Sequence, residues 1–207
     1  PFPLIKTELN ILIFVQLGKL TTQIDTTKIE LKSNSLTFIS AGTIHSLLSI
    51  KKMTKGFILL IENKVLNSIF NKDAILNLSL IQPVLNLTEE ESLWAENICK
   101  LLFEEIKKEK PNRKIGSGIL QALLYKTLEL SDSHKTLSRS EQIAVQFKHL
   151  VEAHFIEQKS VQFYANKLAI SANYLNRCVQ YVFHIAAKEI INETTIIHIQ
   201  LLIMETS

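Results

Sequence analysis

Four side chains at helical spacing carry the most specific chemistry in the chain: Asn173, Asn176, Arg177 and Gln180. Offsets of i, i+3, i+4 and i+7 place them on one face of a helix. Their amide and guanidinium groups are those that bond base edges in a major groove, arginine to guanine and asparagine or glutamine to adenine. The opposite face holds Leu175, Cys178, Val179 and Val182, an apolar side suited to burial. A solvated helix in a small bundle has the same two-sided composition, so the stripe alone leaves both readings open.

The residues upstream place the stripe in a helix-turn-helix. Ser160 stands where it would cap a first helix, and Ser171 where it would cap a second. Ala165 is small where two helices must cross closely, and Tyr164, Leu168 and Ile170 are inward positions. Ile143, Phe147, Leu150 and Val151 form the apolar stripe of a preceding helix over about 141–157. Residues 138–207 hold six basic and six acidic side chains. A segment that neutralises phosphates normally carries a basic surplus, so this one alone is expected to bind DNA weakly.

Other chemistry is sparse. No histidine precedes His45, so a three-histidine metal site within the first part of the chain is excluded. His134, His149, His154, His184 and His198 all fall later. There is no Ser/His/Asp grouping at a suggestive spacing and no Gly-rich phosphate loop. No metal, cofactor or catalytic residue is expected, and His45 reads as a pocket or structural residue. Cys99 and Cys178 lie far apart without a C-x-x-C, which fits a reducing compartment.

The elements that must position these groups follow from two periodicities. Leu20, Thr22 and Ile24, then Ile29 and Leu31, then Leu36 and Phe38 recur at period two between short polar breaks. That is an antiparallel meander or a small barrel. Phe57 to Ile61 is apolar throughout and predicts a strand covered on both faces. From about Pro83 the period becomes helical. Thr88 followed by Glu91 reads as a capping box for a helix running to Lys110, with Pro111 and Asn112 ending it. A second helix over about 113–131 has two apolar rows, Ile115, Ile119, Ala122, Leu123 and Leu120, Leu124, Leu128. Two rows call for two covers: either an ordinary buried hairpin, or the chain's own domain on one side and a partner protomer on the other. Ser131 to Ser140 is polar and serine-rich and reads as a linker.

Composition sets the outer bounds. With 207 residues, 46% apolar and 21% charged, the chain is not disordered, and Pro 4 and Gly 5 exclude a collagen-like or linker protein. The net charge of +3 leans only weakly toward an anionic partner. The runs Ile11 to Val15 and Phe57 to Ile61 fall well short of the ~20 residues of a spanning helix. No secretion signal opens the chain, and its first residue is Pro1 rather than Met. A cytoplasmic protein, processed or represented in part, is expected.

The stretch Phe147 to Gln180 resembles the first helix-turn-helix of AraC-family transcription regulators. Ala187 to Glu193, then Leu201 and Leu202, is similar to that family's long linker helix. Ser35 to His45 resembles the strand and Gly-x-x-His turn of the cupin-like domain that many members carry. The resemblance implies an α+β chain with a cupin-like antiparallel β-barrel at 1–82, a dimerising helical hairpin at 83–131, a linker at 132–140, and an all-α helix-turn-helix subdomain at 141–207. It implies a homodimeric, sequence-specific regulator of double-stranded DNA, read by Asn173, Asn176 and Arg177 with Gln180 on the backbone. It also implies a barrel able to hold an unidentified small effector, with His45 as a candidate contact. Two departures stand out. The family carries a second helix-turn-helix, which would begin where this chain stops at Ser207. It also often has Gly near His184 and basic residues near Thr194 and Gln200. The competing expectations are an effector-binding or dimerising protein without DNA binding, and a cupin enzyme.

Overall fold

The structure is a computed structural model that describes residues 3–131 and 137–205. The chain is α+β. Strands β1 (Ile5–Lys6), β2 (Leu9–Leu17), β3 (Lys19–Ile24), β4 (Thr27–Lys32), β5 (Ser35–Ile39), β6 (Ile44–Ile50), β7 (Lys55–Glu62) and β8 (Leu85–Asn86) form two antiparallel sheets of four. The first has the order β1-β6-β3-β4 and the second β7-β2-β5-β8. The period-two runs of β3 and β4 pair in register, Leu20 opposite Leu31 and Thr22 opposite Ile29. The third run does not continue the meander. The chain turns at Asn34 (φ 58°), and β5 enters the second sheet between β2 and β8. Ile11, Ile13, Val15, Leu20, Leu31 and Ile39 fill the space between the sheets.

Sheet 2 is covered twice. The alternate residues of β2 and β5, Leu12, Phe14, Leu36 and Phe38, face away from sheet 1 into a second core. Strand β2 is apolar in nearly every position because both its faces are buried. The same expectation for Phe57 to Ile61 is corrected. Strand β7 is the edge of sheet 2 and pairs only with β2. Phe57, Leu59 and Ile61 pack inward, whereas Ile58 is 54% and Leu60 63% exposed, because the facing sheet does not reach over this edge.

Helices close the outer face of sheet 2. These are α1 (Asn63–Ile69), α2 (Lys72–Leu78), α3 (Glu89–Lys107) and α4 (Arg113–Leu130). The Thr88 hydroxyl accepts from the Glu91 N–H, and the Glu91 carboxylate accepts from the Thr88 N–H, which is the predicted capping box. Pro83 does not end the sheet: β8 lies beyond it, and the Thr37 hydroxyl donates to the Pro83 carbonyl at 2.6 Å. Leu120, Leu123, Leu124 and Leu128 are buried against sheet 2 and α3. The row Leu120, Leu124, Leu128 is therefore covered within the chain. Ile115 stands exposed on α4, as do Leu101, Phe103 and Ile106 on α3.

The helical half comprises α5 (Arg139–His154), α6 (Val161–Lys167), α7 (Ala172–Phe183) and α8 (Ala187–Glu205) around their own core of Ile143, Phe147, Val151, Tyr164, Leu175 and Val179. Ser138 and Glu141 form a capping box for α5. Of the expected linker, residues 132–136 lie outside the described residues. Leu137 is buried with Leu76 and Val145, so the segment ends on an apolar anchor that its polar composition hid. No helix among the described residues is long and apolar enough to cross a membrane.

Candidate nucleic-acid interface

Helix α6, a short turn and α7 make a closed helix-turn-helix. Tyr164 and Ala165 are fully buried. The Tyr164 hydroxyl donates to the Gln158 carbonyl at 2.7 Å, and its ring meets Phe147 edge-on at 5.5 Å. The turn is fixed by Ala169 in the left-handed region (φ 56°) and by the Ile170 N–H donating to the Ala165 carbonyl at 3.0 Å. Ser171 caps α7, its hydroxyl accepting from the Tyr174 N–H at 3.2 Å. Ser160 does not cap α6 with its side chain; its carbonyl accepts from the Phe163 N–H instead. His184 ends α7 with φ 60°, the left-handed conformation that favours glycine.

This frame turns the polar stripe outward. Asn173, Arg177 and Gln180 are exposed, and Leu175, Cys178 and Val179 are buried beneath them. The Arg177 guanidinium lies 5.5 Å from the Tyr174 ring centroid, a contact that aligns it along the helix. Asn176 is half-buried. Its side-chain carbonyl accepts from the Ala187 N–H at 2.9 Å and ties α7 to the first turn of α8, so this oxygen is already engaged. Tyr181, four residues after Arg177 and 68% exposed, extends the same face. The sequence signal was its i+4 spacing from Arg177.

The cations of this half are partly committed. Lys148 pairs with Asp25 at 3.0 Å. Lys159 donates to the Thr195 hydroxyl and Lys188 to the Lys159 carbonyl, both at 2.8 Å. Lys167 lies over the Phe163 ring.

His45 is elsewhere, on β6, sharing the intersheet face with Ile24 and Leu47. It is buried, and desolvation pulls its imidazole below the ordinary value against the opposing influences of the Thr43 carbonyl and Asp25. The two described clefts do not include it. One, about 520 Å³, runs between Glu8, Gly42 and Asn63, and the other, about 360 Å³, lies by Ser68, Arg113 and Gln121. Among the described residues no three His, Cys, Asp or Glu side chains gather as a metal site would require. Burial pushes the Cys99 thiol up to about 12, so it is unreactive.

No protein-family model matches the chain, and no curated protein matches it. Among solved structures it is similar to the AraC-like transcriptional activator CuxR, at 13% identity and a TM-score of 0.43 over 84% of this chain. It spans 62% of the CuxR chain. It is also similar to ToxT from Vibrio cholerae. The apo K231A form from strain SCE256 gives 11% identity and a TM-score of 0.35, covering 93% of this chain and 92% of that one. ToxT from strain O395 gives 13% identity and 0.33, covering 94% and 92%.

Proposed function

We propose that the chain is a sequence-specific DNA-binding transcription regulator that lays α7 in the major groove. The observation that carries this reading is the exposed stripe of Asn173, Arg177 and Gln180 on a capped helix whose other side is fully buried. Arg177 reads a guanine through two acceptors, Gln180 contacts the backbone or an adenine, and Asn173 enters the groove first. Asn176 contributes its amide hydrogens while holding α8. Lys159 and Lys188 supply phosphate contacts, which fix register without reading sequence.

In the same reading, residues 83–131 pair protomers through the exposed apolar side chains of α3 and α4, and the sheet half receives an unidentified effector with His45 beside it. Pairing would set two recognition helices about 34 Å apart along the duplex, one helical turn. The test is binding of the full-length protein to operators selected from random DNA, measured across salt. A fall of affinity with salt, together with a selected consensus, supports the reading. Equal, weak binding to every sequence overturns it.

A second reading, a dimerising or effector-binding protein without DNA binding, is favoured by the balanced charge of residues 138–207. It predicts no selected consensus at all.

A further inference from the structure

We propose that the seam between the sheet half and helix α5 is a proton-sensitive latch: a protonated Glu152 seats the helical half against the Gly42 turn, and loss of that proton releases it.

The seam has three parts. Leu137 and Val145 pack on Leu76 and Leu80 beside α2. Ile197 of α8 packs on Ile44 and Leu4 at the outer face of sheet 1. Between them lies a charged cluster. Lys148 of α5 pairs with Asp25 in the β3–β4 turn at 3.0 Å, and Lys6 of β1 donates to the Glu152 backbone carbonyl at 3.1 Å. Lys6 also lies over the ring of Phe155, 5.2 Å from its centroid. The Glu152 carboxyl rests on the bare side of Gly42, where a Cβ would come within 2.7 Å of its oxygen. Gly42 (φ +89°) is held by its N–H donating to the Thr7 carbonyl at 2.8 Å, so the turn presents this gap in a fixed position.

Burial, and not the surrounding charges, is what disfavours a carboxylate at Glu152. On α5 stand Lys148 and His149; Asp25 faces from the β3–β4 turn, Lys6 from β1 and Glu193 from α8, with His45 of β6 across from Asp25 and Glu8 in the cleft beside Gly42. Desolvation against the sheet half is the largest influence and raises Glu152 to about 7, Lys148 and Lys6 oppose it, and Asp25 adds to it. Desolvation also pulls Lys148 down, but Asp25, Glu152 and Glu193 carry it above its ordinary value, so it stays charged and committed to Asp25. Glu152 is therefore the member whose charge changes near neutrality.

The sign follows from linkage. Seating raises the Glu152 carboxyl from 4.5 to about 7, so seating takes up a proton and is strongest at low pH. Its proton-linked part is lost as pH rises through about 7. Between pH 6 and pH 8 the seating constant falls about tenfold. Because α5 also forms the floor of the helix-turn-helix through Phe147 and Val151, release would free the orientation of α7 relative to the sheet half.

The latch is read on the protein alone, without DNA. Carbon NMR titration of Glu152 in the whole chain is expected to show a midpoint near 7. In Ile197→Asp, or in Leu4→Asp on the sheet side of the same contact, the midpoint should fall by about two units. Labels on Lys28→Cys and Asn192→Cys report the separation of the halves, since Cys99 and Cys178 are buried. The separated population should rise about tenfold from pH 6 to pH 8 in the parent and stay constant in Glu152→Gln. Trp94 fluorescence confirms that the sheet half remains folded in each variant. A parent midpoint in the ordinary carboxylate range overturns the latch. So does a midpoint unchanged in a variant whose labels show the halves apart, or the same pH response in Glu152→Gln.

Discussion

The two halves of the molecule build their cores by opposite means. In the sheet half, Phe14 meets Leu36 across a strand pair and Leu12 and Ile61 share a core with Leu123 and Leu124, residues more than sixty positions on. In the helical half, Phe147, Tyr164, Leu175 and Val179 gather from one short stretch of chain. The first arrangement covers sheet 2 on both sides and leaves little of it free to change. The second holds a small core under one exposed polar face. Long-range contacts close the sheet half, and the polar face proposed to read bases lies on the half closed by local ones. Trp94 is the chain's one tryptophan and packs on the sheet-half core, so its emission follows that half, while helical circular dichroism follows both.

This difference can be broken from either side. Leu124→Ala empties a fully buried position in the sheet-half core, and a loss of about 2–5 kcal/mol is expected. Denaturant unfolding followed by Trp94 should shift strongly, and it should shift alike for Leu120→Ala if α4 belongs to that core. Ala165→Leu overfills the crossing of α6 and α7 and is expected to cost about 1–3 kcal/mol. Its helical transition should fall while the Trp94 transition stays, and a joint shift of both would mean that the halves unfold as one unit.

How far the sequence foresaw this depends on the same contrast. The helix-turn-helix was legible because Ala165, Ser171, Leu175 and Val179 obey a local period, and Thr88 with Glu91 announced α3 as directly. The paired period of Leu20 to Leu31 announced one hairpin. What local pattern does not carry is which sheet a strand joins: β5 continues the period of β4 and yet pairs with β2. Edge position is equally invisible, so Ile58 and Leu60 read like core. The α4 rows are legible in the spacing, but their cover depends on sheet 2, which places Leu120 and Leu124 inside and leaves Ile115 outside. At the candidate interface, the stripe was legible from spacing. The commitment of Asn176 to Ala187 was not, because it depends on where α8 begins.

Smaller effects sharpen the account. Thr88→Ala removes one arm of the α3 capping box and should cost about 1 kcal/mol, visible in Trp94 unfolding. Glu105 accepts from Lys108 and from the Asn112 N–H at 2.8 Å, and these bonds, the Lys108 one foremost, hold its carboxyl below the ordinary range. A depressed carboxyl contributes stability above the ordinary carboxylate value and loses it as pH falls through its own lower one. The α3–α4 turn should therefore weaken on acidification. Urea midpoints from pH 6 down to pH 3 should fall more steeply in the parent than in Glu105→Gln. Equal slopes would remove Glu105 from the account.

The central claim is that α7 reads bases, and Arg177 tests it most directly. Binding of the full-length parent and Arg177→Ala to a selected operator and to single-base variants of it should be compared at several salt concentrations. The account predicts that Arg177→Ala loses about 1–3 kcal/mol on the operator and no longer distinguishes the base it contacts, while Lys188→Ala weakens all sequences alike. An Arg177→Ala protein with unchanged affinity and unchanged base preference would contradict it and leave α7 as an ordinary solvated helix of its bundle.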